Sequence, residues 1–132
     1  MDIDIDFKLC YRSMTMIYQK DTVQGFLYKD LSKKSIFSSR VQRYFVLDHE
    51  HNSFRIHKNN KAVNDYHKFA YSDIQDVKCP AITRNEKASV QERFSFQFEL
   101  VTRLRTFYLY AASVDERWMW VHTFKWIVMT QE

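Results

Sequence analysis

In the last third of this chain the hydrophobic period changes from two to about 3.6, and no other feature constrains the fold as much. The segment Arg93-Phe94-Ser95-Phe96-Gln97-Phe98-Glu99-Leu100 is apolar at every second position, as in a strand with one face in a core and one in water. A short connection, Val101-Thr102-Arg103-Leu104, leads to Arg105-Thr106-Phe107-Tyr108-Leu109-Tyr110-Ala111, where Phe107, Leu109 and Ala111 share one face. From Val114 to Met129 the apolar residues recur three and four apart, which is helical spacing. Asp115 and Glu116 fall in the first turn, where carboxylates suit the positive end of the helix dipole. The pattern predicts two strands and a closing helix, which need a further sheet to pack against.

The preceding residues supply one. Gly25-Phe26-Leu27-Tyr28-Lys29 opens on the chain's only glycine and reads as a strand, followed by a polar loop over 30–39 with Lys33 and Lys34 near its tip. Val41–Leu47 is the second strand, 48–52 a hairpin turn, and Ser53–Lys58 the third strand. Weaker strands are expected over His67–Tyr71 and Ile74–Cys79, with Pro80 ending the latter and a polar loop over 83–92. Residues 1–21 form an N-terminal extension that reads both ways. Ile3, Ile5 and Phe7 alternate with aspartates, yet Phe7, Tyr11, Met14 and Tyr18 keep helical spacing, which favours a short helix over Phe7–Tyr18 packed on the domain. The domain itself is expected over 22–131. The architecture is mainly β, about seven antiparallel strands in a partly open barrel or orthogonal sandwich capped by the helix.

At 132 residues, 45% of them hydrophobic, one domain can bury a core without disulfides or metal. Cys10 and Cys79 are too far apart in sequence for a metal or redox motif and read as reduced thiols. Asp2, Asp4 and Asp6 exclude a secretory or mitochondrial leader, and Asp2 excludes N-myristoylation. No apolar run reaches the roughly 20 residues of a membrane span. A cytoplasmic location is therefore expected, at a membrane periphery or within a large assembly. Net charge is +4, and residues 20–61 concentrate it, with nine Lys and Arg against four acids. Such a localised field attracts phosphates or an acidic protein face.

Enzyme chemistry is not indicated. One glycine cannot make a phosphate-cradling loop. His49-Glu50-His51 sits in a turn with no third ligand nearby in sequence, so neither metal nor other cofactor is expected. The carboxylates and the Ser, His and Asp residues show no catalytic spacing, and no small-molecule substrate is implied. Nucleic acid is not expected either, because the tyrosines of the last strand, Tyr108 and Tyr110, lie apart in sequence from the basic cluster.

Several segments together resemble the pleckstrin homology (PH) family. They are Gly25–Lys29, Arg43-Tyr44-Phe45-Val46-Leu47, Phe94-Ser95-Phe96, Phe107–Ala111 and, most specifically, Glu116-Arg117-Trp118-Met119-Trp120-Val121, with Trp120 at the position of the family's helix tryptophan. The resemblance spans Val23 to Met129 and implies a binding module for lipid or protein. Members that bind phosphoinositides carry a lysine ending the first strand and Lys/Arg-x-Arg opening the second. Here Lys29 and Arg43 occupy the outer positions, while Val41 takes the middle one and Arg40 lies one place earlier, on the opposite face. Strand parity carries Lys29 and Arg43 along the core rows to the barrel mouth, and the third strand returns Lys58 and Lys61 towards it. The resemblance adds Arg103 and Arg105 from the last hairpin. The candidate anion-binding set is thus Lys29, Lys33, Lys34, Arg40, Arg43, Lys58, Lys61, Arg103 and Arg105.

The helix carries a second apolar face. At about 100° per residue, Trp120, Phe124, Ile127, Val128, Val121 and Val114 form the core stripe, and Trp118, Met119, His122, Trp126 and Met129 lie on the other side. A helix apolar on both sides is normally covered on both. This set is the candidate protein interface. It favours an adaptor or structural role in a larger assembly, with recruitment to a phosphoinositide membrane as the alternative.

Overall fold

In the computed structural model of the chain, the residues described are 16–30, 40–79 and 96–131. Among these residues eight strands run antiparallel: β1 (Ile17–Tyr18), β2 (Thr22–Asp30), β3 (Arg40–Asp48), β4 (Ser53–His57), β5 (Tyr66–Ala70), β6 (Ile74–Lys78), β7 (Gln97–Thr102) and β8 (Thr106–Tyr110). Helix α1 (Val114–Thr130) follows them. The strand order is β5-β4-β3-β2-β8-β7-β6, with β1 paired to the start of β2. The two ends of that order, β5 and β6, are consecutive in the chain, joined by a single 3-10 turn at Tyr71–Asp73. The sheet must therefore roll to bring its ends together, and the expected mainly-β fold with one C-terminal helix is what forms.

Period-two sequence maps directly onto rows across the sheet. Val23 pairs with Leu47, Leu47 with Phe54 and Phe54 with Phe69; one step along, Gly25 pairs with Phe45, Phe45 with Ile56 and Ile56 with His67. The first row and most of the second face the core, with Val23, Leu47, Phe45 and Phe54 fully buried. From the other sheet half come Phe98, Leu100, Phe107 and Leu109, and Trp120, Phe124 and Ile127 of α1 close the interior. Trp120 stacks on Phe124 and meets Phe45 edge-on, with centroids 6.1 and 6.2 Å apart.

Gly25 has a negative φ, so its role is space rather than backbone freedom. A Cβ there would lie 3.0 Å from the Trp120 ring and 3.2 Å from the Met16 Cα. The hairpin turn after β3 uses Asn52 at φ 50°, a left-handed conformation that asparagine tolerates. Helix α1 starts where Ser113 Oγ accepts from the Glu116 amide at 3.1 Å, an N-cap ahead of the first-turn carboxylates.

Four expectations differ. The predicted helix over Phe7–Tyr18 is not seen at its end, because Ile17–Tyr18 pairs with Val23 and Gln24 as β1; Phe7, Tyr11 and Met14 lie outside the described residues. Phe96 is only partly buried, at the rim before β7. Val114 is 49% exposed, while Glu116 in the same first turn is buried, so the inward side of α1 at its start is the one that carries Glu116. Met119 is 2% exposed and belongs to the core, not to the outer face. The helix lies in the concave end of a rolled sheet, so burial spreads to both flanks of the stripe. Met119 and Val121 are those flanks, each about 100° from Trp120.

Candidate functional site: a cation-lined mouth

At the end of the barrel where β2 leaves and β3 enters, Lys29, Arg43, Lys58 and Arg105 line a cavity of about 200 Å³. Strand register puts them there. Leu27 pairs with Arg43 and Lys29 with Val41, so Lys29 and Arg43 prolong the core rows outward. One step beyond the last pair of β4 and β5, the Lys58 amide donates to the Asp65 carbonyl at 3.3 Å. Arg105 immediately precedes β8, in a tight turn where the Thr102 hydroxyl donates to the Arg105 carbonyl at 2.6 Å. Ile56 and Phe69 floor the cavity, and Asp65, Tyr66 and His67 form its remaining wall.

The cations crowd one another. Burial lowers the Lys29 pKa, and the neighbouring Arg105 and Arg43 charges lower it further. Phe107 provides a common platform, with Arg105 Cζ 4.2 Å and Lys29 Nζ 5.8 Å from its ring centroid, both within cation–π range. Among the described residues the ion pairs are Arg40–Asp30, His51–Asp48, Arg55–Asp48 and Arg103–Asp73, none of which uses a mouth cation. Clustered guanidinium and ammonium donors without carboxylate partners suit a phosphate.

Of the nine expected basic residues, four converge here. Arg40 does not: its guanidinium stacks 3.6 Å over the Tyr110 ring and pairs with Asp30 at 3.8 Å, on the outer face as its parity requires. Tyr110 in turn donates to Asp30 at 3.0 Å. Arg103 sits on the turn beside Asp73, and Lys61 is on an exposed loop; neither lines the cavity. Lys33 and Lys34 lie outside the described residues. Sequence reasoning missed Asp65 and His67. The available signal was Phe69, since once it is in the core, the residues two and four earlier face the same way.

On the helix, Trp118 and Trp126 are each 50% exposed and Met129 is 74% exposed. Trp118 stacks on His122 at 4.1 Å between centroids, and Trp126 meets His49 edge-on at 5.1 Å. The turn histidines serve local structure: His49 Nδ1 lies 2.7 Å from the Tyr71 hydroxyl and His51 Nδ1 2.8 Å from Asp48.

A rolled antiparallel sheet closed by one helix, with a basic open end, defines the class: a β-barrel-like binding module. The chain belongs to the PH domain family, whose model matches residues 22–129. Solved structures agree on the fold. The PH domain of human oxysterol binding protein-related protein 11 has 16% identity and TM-score 0.61, covering 84% of this chain and 82% of that one. The N-terminal PH domain of human ARAP2 has 19% identity and TM-score 0.61, covering 88% and 87%. The C-terminal PH domain of human pleckstrin has 19% identity and TM-score 0.58, covering 92% and 94%. Among curated proteins no relative matches the chain.

Proposed function

We propose that this domain is a non-enzymatic module that recruits its protein to membranes by binding a phosphoinositide headgroup at the mouth. The convergence of Lys29, Arg43, Lys58 and Arg105 on one cavity carries this reading. Members of this family bind lipids or proteins, and a half-exposed cluster of four cations offers polyanionic phosphate several charge-assisted hydrogen bonds at once. Among the described residues no helix is long and apolar enough to cross a membrane, and a headgroup contact requires none.

The test is vesicle binding. Lys29→Ala and Arg43→Ala should each weaken binding to phosphoinositide vesicles about tenfold or more, the loss of one charge-assisted hydrogen bond worth roughly 1.5–3 kcal/mol. Raised salt should weaken binding further. Val41→Lys, directly across from Lys29, should strengthen it. Equal binding to phosphoinositide and neutral vesicles would remove the reading.

A second reading is an adaptor role, with a partner protein docked on the outer face of α1. The exposure of Trp118, Trp126 and Met129 on one helix supports it, with His122 beside them. Met119 no longer contributes, because it is core. That shrinks the outer face and puts this reading second.

A further inference from the structure

Resting on the phosphoinositide reading, we infer that Asp65 makes the mouth selective, so that it takes a headgroup with few phosphates and rejects the most highly phosphorylated ones. The cavity is two-ended. Lys29, Arg43 and Arg105 cluster on the β2–β3–β8 side, close enough for the two arginines to lower the Lys29 pKa. The β4–β5 side is different. Lys58 stands there opposite Asp65, and His67 follows one row deeper, where it pairs with Ile56. The same-face row across the mouth therefore runs Leu27, Arg43, Lys58, Asp65, and it ends on a carboxylate.

Among the described residues Asp65 takes no part in a side-chain ion pair, so its carboxylate is not in direct contact with Lys58. A carboxylate accepts hydrogen bonds and repels anions. One end of the cavity is built for phosphate, and the other for a group that donates. An inositol ring with phosphate on one edge and free hydroxyls on the other satisfies both ends. A ring carrying three phosphates beside its phosphodiester covers more of its rim and sets a phosphate nearer Asp65.

The magnitude follows from Coulomb's law. Two like charges about 4 Å apart in water interact enough to change an equilibrium roughly fivefold, and more where water is excluded. The substitution Asp65→Asn removes the charge and keeps the shape. The backbone bond from Lys58 to Asp65 is unaffected, because it uses the carbonyl.

The experiment compares wild type with Asp65→Asn on phosphatidylcholine vesicles containing a phosphatidylinositol monophosphate or the trisphosphate, at equal total lipid charge. Wild type should prefer the monophosphate. Asp65→Asn should gain about fivefold or more on the trisphosphate and less than about twofold on the monophosphate. Asp65→Lys, a second variant at the same exposed position, should reverse the preference. Equal gains on both lipids, no gain on either, or a wild type that already prefers the trisphosphate would each overturn the proposal while leaving headgroup binding intact. Wild type and variants that bind neither vesicle better than phosphatidylcholine alone would overturn both.

Discussion

Replacing Gly25 with alanine tests the packing at its tightest point. In a strand, alanine ordinarily gains roughly 0.5–1 kcal/mol over glycine, because it loses less backbone entropy on folding. Here the new methyl carbon would stand 3.0 Å from Trp120 Cζ2, 3.1 Å from Met16 Cγ and 3.2 Å from Met16 Cα. The Met16 side chain can shift, but its Cα cannot move without displacing β1. The Trp120 ring is fully buried between Phe45 and Phe124 and has no room to retreat. Overpacking of this kind costs about 1–3 kcal/mol, so the net expectation is a loss of about 0.5–2 kcal/mol. At this chain length that corresponds to a fall in Tm of roughly 2–10 °C. Met16→Ala alone removes buried apolar volume and should also destabilise. The double variant should be more stable than the two single losses summed, since truncating Met16 removes one of the three close contacts, that with its Cγ. Thermal melts followed by circular dichroism read all three proteins. A Gly25→Ala variant as stable as wild type, or more so, would refute the claim that this glycine exists for Trp120.

Two further outcomes are expected. Burial lowers the His49 pKa against the opposing pull of Asp48 and Asp21, so the unfolded chain binds the proton first as pH falls below about 6.5; stability should decline from there down to the lowered folded value, and His49→Gln should lose that limb of a Tm-against-pH curve. Trp118→Ala with Trp126→Ala should leave the domain folded, at a cost of about 1–2 kcal/mol once the Trp126–His49 edge contact is counted; deleting residues 1–15 and measuring aggregation by light scattering then separates a face covered by the chain itself from one that docks a partner.

The closing helix was legible almost to the residue, Val114–Met129 expected against Val114–Thr130 found, because its apolar period is long and unbroken. The apolar period does not reveal its N-cap, although Ser113 three places before Glu116 is a capping pattern. The rows of β2 and β3 were also legible, and with them Lys29 and Arg43, since a side chain two residues from a core position faces the same way. Arg105 is legible by the same parity from Phe107. Arg103 is not, because β7 runs on through Thr102, a buried polar residue that reads as loop in the sequence but bonds the Arg105 backbone across the turn. The least legible strand was β5. Only Phe69 of Tyr66–Ala70 packs inward, so alternation has little to act on, and Asp65 and His67 stayed hidden behind it. The Met119 error has a geometric origin: a helical wheel assumes a flat partner, and this helix lies in a curved one.

Placement of the acids separates the paired cations from those at the mouth. Off the mouth, the fold gives guanidiniums a carboxylate: Asp30 for Arg40, Asp48 for Arg55, Asp73 for Arg103. At the mouth it partly buries Lys29 beside two arginines with no acid in an ion pair. The sign of that arrangement is unfavourable to folding. A lysine whose pKa falls on folding holds its proton less tightly in the native state, so its charge opposes folding below that lowered value, and the penalty fades only as pH rises towards 10.5. At neutral pH the penalty is therefore present. An anion in the cavity reverses it, because it favours the charged form of all four cations at once. Binding energy and folding energy are linked through these groups. Among the described residues Arg40, Arg55 and Arg103 each have a carboxylate within ion-pair reach, whereas the one acid that lines the mouth, Asp65, forms no ion pair with its cations.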